Sequence, residues 1–388
     1  MDLLEYQGKQ LFAAHGVAVP SGAVASTVED AVAAADRIGY PCAIKAQVLI
    51  GGRGKAGGIK IAADKEEAGR HAGAILGMDI VGPHGEGPFR VEQVWIEGGS
   101  AIAAEYYASV ILDRGEKKLL AMVSAKGGMD IEAVAAEDPE ALVKVHIDPT
   151  RPFTATDARP IVEAAGLAED ALDEAAEVLA KLAETAQAED ATLIEVNPLI
   201  VTEGREVVAL DAKVTIDGNA LYRHEGLAEL DAEAIDDPQE AMAREKGLTY
   251  VKLDGNVGIL ANGAGLCMST LDVVAQAGGA PANFLDAGGG SKAEAIVDAL
   301  TVITSDEKVT AILFNIFGGI TRCDEIAKGI VEASAQLDLD VPLVVRLDGT
   351  NSEQGLAILA GAGLANLHQE TTMLGAARKV VELAGGNG

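Results

Sequence analysis

Three cysteines, Cys42, Cys267 and Cys323, are all that 388 residues contain. An odd count that small builds no disulfide framework and points to a reducing compartment. Cations are scarce as well: 30 lysines and arginines face 60 aspartates and glutamates, a formal net charge of −30. The lack of a basic footprint argues against general binding to nucleic acid or to an anionic membrane. A small anionic ligand is not excluded, because a local cationic loop outweighs a distant acidic surface at short range. The opening MDLLEYQGKQLFAAHGVAVP has no basic segment ahead of an apolar core and does not read as a signal peptide. It reads as a short amphipathic helix ended by Gly16. No apolar run reaches membrane-spanning length. The expectation is a soluble, cytoplasmic protein.

Hydrophobic residues at 49% and charged residues at 23% give a globular balance, over a length that allows two or three domains. From about residue 256 one unit recurs: a β-rich apolar run, a glycine or polar loop, then helical periodicity. The runs are 257–261, 282–287, 309–317 and 341–347. Continuous apolar strands alternating with helices predict a parallel sheet covered on both faces, with the four loops at its carboxyl edge. The first 225 residues mix hairpins with helices instead. Turns are expected near 113–116 and near Gly204, with a long alanine-rich helix over about 164–188. The division is therefore 1–227 (with a smaller subdomain at about 20–90), an acidic linker at 228–250, and an α/β domain over 251–388.

Against the acidic background, KAQVLIGGRGKAGG at 45–58 sets Lys45, Arg53 and Lys55 among five glycines. Glycine lets backbone N–H groups approach a ligand closely, and the cations suit phosphate. A solvated hairpin loop is the alternative, and the spacing is not that of a Walker A loop. In the hairpin around Gly204, a turn centred on that glycine puts Asn197 opposite Asp211 and Glu195 opposite Lys213, all on one face. An amide oxygen and a carboxylate form a partial Mg2+ site, while a solvent-facing polar ladder, or a bulge at Pro198, would give the same spacing. ANGAGLCM, 261–268, lacks the third glycine of a dinucleotide fingerprint, which disfavours a nicotinamide cofactor. In NIFGGITRCDE, Gly318 and Gly319 precede a helix whose free N–H groups favour an anion. Cys323 lies near that helix start, a position that lowers a thiol pKa, yet has no base beside it and reads as a packed small residue. His71 falls in a helical stretch, and nothing marks His15, His84, His146, His224 or His368 as catalytic.

Six stretches in order, EYQGKQLFAAHGV, KAQVLIGGRGKAGG, LIEVNPLIV, LDGNVGILANGAGLCMSTLD, PANFLDAGGG and NIFGGITRCDEIAKGI, resemble the beta subunit of succinyl-CoA synthetase nearly end to end. The resemblance implies an α/β chain with an ATP-grasp fold followed by a flavodoxin-like parallel-sheet domain. It implies that Lys45, Gly52, Arg53, Gly54, Glu97, Ser100 and Glu105 contact a nucleotide (ATP/ADP, or GTP/GDP), and that Asn197 and Asp211 bind one Mg2+. Glu195 matches the position that meets a phosphohistidine, and Asn262, Gly318, Gly319 and Ile320 match succinate contacts. That histidine and most of the CoA site would belong to an alpha subunit, the expected partner. The reaction implied converts succinate, CoA and nucleoside triphosphate reversibly to succinyl-CoA, nucleoside diphosphate and phosphate. Rival readings are a ligase for a related acid such as malate, and a nucleotide-binding regulatory subunit without turnover.

Overall fold

The computed structural model describes residues 1–82, 85, 87–233, 237–288, 293–337 and 339–385. His84 and residues 289–291, in the loop expected after the 282–287 run, lie outside the described residues. The chain forms two compact units, Met1–Ala228 and Glu229–Gly388. Among the described residues, no helix is long and apolar enough to cross a membrane.

The first unit opens with the helix Glu5–Ala14, ended at Gly16, whose φ of +75° is one that glycine adopts without strain. Six strands follow: β1 (Gly22–Ala25), β2 (Cys42–Ala46), β3 (Ile59–Ala62), β4 (Asp79–Ile80), β5 (Phe89–Arg90) and β6 (Val94–Gly98). Four of them make an antiparallel sheet in the order β1-β6-β2-β3, while β4 and β5 pair with each other. Thr27 and Asp64 cap the helices Val28–Ile38 and Lys65–Ile75. The small faces of those helices, Ala31, Ala35, Ala68 and Ala72, pack close against Ile44 and Ile96 of the sheet. Residues 47–58 leave this sheet as the β2–β3 hairpin loop.

A second sheet is built from β7 (Ile102–Asp113), β8 (Lys118–Ser124), β9 (Val143–His146), β10 (Ala191–Thr202), β11 (Val207–Ala209) and β12 (Lys213–Ile216). Its order is β11-β10-β7-β8-β9, with β12 also on β10. The helix Leu172–Ala188 covers it with Val178, Leu179 and Leu182. That helix starts later than the alanine pattern suggests. Gly166, at φ +80°, ends a separate helix Ala155–Ala164, and a 3-10 turn at Glu169–Ala171 intervenes. In the hairpin, Glu195 pairs with Lys213 and Leu199 with Ala209, so the register is the same on both sides of the interval holding Asn197 and Asp211. A bulge does occur at Pro198, but toward β7: the β10–β7 register shifts between Val196 and Leu199. A proline has no N–H for the ladder, so one neighbour must lose its alignment there.

The second unit contains β13 (Thr249–Lys252), β14 (Val257–Ala261), β15 (Asn283–Asp286), β16 (Ala311–Gly318), β17 (Leu343–Gly349) and β18 (Leu367–Gln369), in the order β13-β15-β14-β16-β17-β18. The four apolar runs are β14 to β17. From β15 to β18 the pairing is parallel, in the 2-1-3-4-5 order whose direction reverses between β14 and β16. The edge strand β13 runs antiparallel to β15. Alternate residues feed two cores, Leu260, Phe314 and Val345 on one face and Ile259, Leu313 and Val344 on the other. The 228–250 stretch is largely helical, in Glu225–Glu233 and Pro238–Glu245, with 234–236 outside the described residues. Asp237 as cap and Pro238 at the first position start the second of these helices, which buries Ala243.

Candidate functional site

Two of the three cations of the 45–58 segment, Lys45 and Arg53, are not loose; Lys55 alone is exposed. Lys45 is the next-to-last residue of β2, with its ammonium 2.7 Å from Glu97 Oε1, 3.0 Å from Glu5 Oε1 and 3.1 Å from the Leu210 carbonyl it donates to. Arg53 folds back beneath its own loop, donating to the Ala46 carbonyl at 3.1 Å. Its guanidinium lies 2.6 Å from Glu5 Oε2 and 3.1 Å from Asp211 Oδ1. Lys9 pairs with Glu5 at 2.7 Å and also with Glu97, which accepts a further hydrogen bond from Trp95 Nε1 at 2.9 Å. Three cations thus meet three carboxylates. Glu5, Lys9 and Glu97 have side chains only 1% exposed, whereas that of Asp211 is 36% exposed. Burial alone would raise the Glu5 carboxyl, but Lys45, Arg53 and Lys9 outweigh it and hold Glu5 well below the usual carboxylate range. Burial likewise works against the Lys45 ammonium, and Glu5, Glu97 and Asp211 raise it above its ordinary value.

Gly52, at φ +72°, starts the tight turn that returns Arg53 to the cluster, and the Gly58 N–H closes it on the Arg53 carbonyl at 2.9 Å. Gly52, Gly54 and Lys55 remain exposed. Of the other nucleotide candidates, Ser100 is half-buried in the β6–β7 connection and Glu105 is exposed on β7. Glu97 is not on an open wall; its carboxylate is consumed by Lys9, Lys45 and Trp95.

Asn197 binds the 125–130 loop through both ends of its amide. Its Oδ1 accepts from the Gly128 N–H at 2.8 Å, and its Nδ2 donates to the Met129 carbonyl at 2.8 Å. A side chain at Gly128 would strike Glu105 Oε2, 2.7 Å from an added Cβ, so Glu105 borders the same loop. Glu195 receives a hydrogen bond from Tyr107 at 3.4 Å; burial raises its carboxyl against the pull of Lys213. A divalent ion fits this hairpin in one way. Asp211 Oδ2 accepts no hydrogen bond from a described residue, and Asn197 Oδ1 retains a second lone pair. Among the described residues no group of three His, Cys, Asp or Glu side chains is arranged to hold a metal ion by itself. One carboxylate with one amide oxygen suits a hard ion that keeps waters and phosphate oxygens, not zinc.

In the second unit, Asn262, Gly318, Gly319 and Ile320 gather at the carboxyl ends of β14 and β16, where the strand order reverses. Asn262 is tied to Phe317, donating to its carbonyl and accepting from its N–H, both at 2.9 Å. An added Cβ at Gly318 would lie 2.7 Å from the Thr350 nitrogen, so the chains pass too closely for any side chain. The Gly319 and Ile320 N–H groups have no partner among the described residues, and Ile320 is 87% exposed. Cys323 is the packed small residue expected, and burial, not the helix start, governs its thiol. It is buried, donates to the Asp348 carbonyl at 3.3 Å, and burial pushes its pKa up rather than down. His71 is half-buried on a helix, as expected.

Sequence reasoning missed Glu5, Lys9, Trp95 and Tyr107. The i, i+4 spacing of Glu5 and Lys9 was the available signal, but on an amphipathic helix that spacing marks a solvent face as readily as a buried pair.

Comparisons with known proteins agree with this layout. A family model described as an ATP-grasp domain matches residues 2–201, and another described as CoA-ligase matches residues 260–380. The succinate–CoA ligase [ADP-forming] subunit beta of Rubrobacter xylanophilus is 51% identical over 385 residues, 99% of each chain. That of Natronomonas pharaonis is 51% identical over 360 residues, 92% of this chain and 93% of its own. Among solved structures, ATP citrate lyase from Methanothrix soehngenii, in complex with citrate and coenzyme A, matches with a TM-score of 0.80. The match covers 98% of this chain and 99% of that one at 19% identity, a likeness of fold alone.

Proposed function

Because the chain belongs to the family of succinate–CoA ligase beta subunits, we propose that its first unit transfers phosphate between a nucleotide and a phosphohistidine on an alpha subunit, and that its second unit completes the succinate site. The overall reaction is succinate, CoA and ATP to succinyl-CoA, ADP and phosphate, in either direction. Lys45, Gly52, Arg53 and Gly54 take the nucleotide phosphates, with Ser100 and Glu105 around the nucleotide and Glu97 behind Lys45, whose ammonium it holds. Asn197 and Asp211 hold Mg2+, which when bound would draw charge from the phosphates and favour phosphoryl transfer. Glu195 meets the incoming phosphohistidine. Asn262 orders the β16 end, so that the Gly318, Gly319 and Ile320 backbone faces the substrate carboxylate. Most of the CoA site belongs to the alpha subunit.

The observation that carries this reading is the 3.1 Å pair between Arg53 and Asp211. A phosphate ligand and a metal ligand are held on one another in the resting chain. A magnesium nucleotide offers each a new partner of the right sign, anion for Arg53 and cation for Asp211. Entry is then an exchange of ion pairs, not the filling of an uncompensated charge, and it avoids the desolvation cost of stranding either group.

The test is to mix the chain with its alpha subunit, Mg2+ and γ-labelled ATP. Acid-labile label is expected on the alpha subunit, and succinate with CoA should remove it. Folded, associated subunits that take no label from ATP or GTP would overturn the reading in favour of a regulatory subunit.

A further inference from the structure

Two of the six charges in the buried cluster, Glu5 and Lys9, have no part in the function described above. Both lie on the first helix, four residues apart, with side chains 1% exposed. Burying an ammonium and a carboxylate this deeply is costly, and an apolar pair of similar volume would fill the space as well. Their contacts show what the charges do. The single Glu5 carboxylate touches all three cations, Lys9 and Lys45 through Oε1 and Arg53 through Oε2. It lies between Lys45 and Arg53, whose like charges would otherwise drive the two side chains apart. Lys9 joins Glu5 to Glu97, and those two carboxylates are the ones that hold Lys45. The helix is itself fixed against this framework, since the Tyr6 N–H donates to Gln47 Oε1 at 3.1 Å, two residues beyond Lys45.

We propose that Glu5 and Lys9 are the positioning pair of the nucleotide site: a carboxylate that clamps Lys45 and Arg53 side by side, and an ammonium that keeps this clamp charged and in place. Resting on the assignment of Lys45 and Arg53 to the phosphates, the inference adds how those cations are arranged before the nucleotide arrives. Fixed donors aimed in advance at an anion cost little reorganisation when it binds. When Lys45 and Arg53 turn part of their hydrogen bonding to phosphate, Lys9 remains behind them as the counter-charge for Glu5 and Glu97.

Removing one member strands a buried charge, so a single variant would confuse positioning with stability. The double variant Glu5→Gln/Lys9→Gln removes one charge of each sign and leaves the cluster balanced. In the full chain, its melting temperature is expected to recover relative to both single variants. Its affinity for magnesium ATP, by calorimetric titration, should stay weakened on the order of tenfold or more, as for other outer-shell supports. Affinity for adenosine, which has no phosphate, should be unchanged. A folded double variant that binds magnesium ATP within twofold of the parent overturns the proposal. If the double variant does not fold, Glu5→Asp keeps every charge and withdraws the carboxylate by one methylene; parent-like magnesium ATP affinity there also overturns it. Lys45→Ala and Arg53→Ala separate the two claims. If they bind magnesium ATP like the parent, the phosphate assignment itself fails, whereas weakening in them with parent affinity in the Glu5 and Lys9 variants refutes only the positioning pair.

Discussion

Asp211 is the exposed end of an otherwise buried set of charges, and its two oxygens are used unequally. Oδ1 accepts from Arg53 and from the Ala212 N–H, while Oδ2 takes no hydrogen bond from a described residue. Asp211→Ala should therefore keep a cooperative melt, because Arg53 retains Glu5 and the Ala46 carbonyl. Its magnesium-dependent nucleotide affinity should fall by about 10–100-fold, the range seen even for outer-shell groups of metal sites; titration of ATP with and without Mg2+ reads this out. Unchanged magnesium dependence removes Asp211 from the site. Glu97 predicts the opposite balance. Glu97→Ala leaves Lys9 and Lys45 facing the one Glu5 carboxylate in a buried setting, and should cost about 3–5 kcal/mol in urea melts. A loss under about 1 kcal/mol would show that water replaces the carboxylate easily. At this scale the sequence disclosed the residues with unusual company: Lys45 and Arg53 among glycines, and Asn197 and Asp211 through hairpin spacing. It did not disclose that the cations are already neutralised, since Glu5 and Glu97 lie 40 or more residues from one of their partners.

Elements were legible where their periodicity was unbroken, and less so where one residue changed the path. The four apolar strands of the second unit and both hairpin turns fall where the pattern puts them. The helix over 164–188 does not, because Gly166 interrupts a run whose alanines are otherwise all good helix formers. Strands β13 and β18, with the sequences TYVK and LHQ, carry no apolar run to announce them. The Cys323–Gln336 helix carries a prediction of its own. Asp324, in its first turn, accepts from Arg322 at 2.7 Å and from Asn351 at 2.9 Å, tying the loop after β16 to the loop after β17. Those partners lower its carboxyl from 3.8 to about 2. A depressed carboxyl stabilises the fold above its unfolded pKa and stops doing so as pH falls through the folded one. Asp324→Asn should cost about 1–2 kcal/mol near neutrality. The difference from the parent should shrink between about pH 4 and pH 2 and vanish below. A difference that persists at the acid end would assign the loss to packing.

The whole molecule carries a formal charge of −30, and its balanced internal cluster contributes nothing to that sum. The excess lies on surfaces, where self-repulsion is open to screening. Raising salt from about 0.1 M to about 1 M contracts the screening length from about 10 Å to about 3 Å. The melting temperature should rise over that range, by scanning calorimetry. A flat or falling profile would mean that the surface acids are already neutralised by their neighbours. At this scale the change of pattern along the sequence, from hairpins and helices to repeated βα units, corresponds to the change from antiparallel to parallel pairing in the sheets.

The six-charge cluster has a further consequence, for how such a chain can change over generations. Its members stand at positions 5, 9, 45, 53, 97 and 211, spread over more than half the length. Replacing any buried member alone leaves an unmatched charge, a loss comparable to the whole margin by which a domain stays folded. Substitutions that each look acceptable must therefore arrive in compensating pairs, drawn from segments that mutate independently. The cluster acts as a ratchet on divergence: descendants are free to rewrite the surface around it, while its five buried positions change in balanced pairs or not at all.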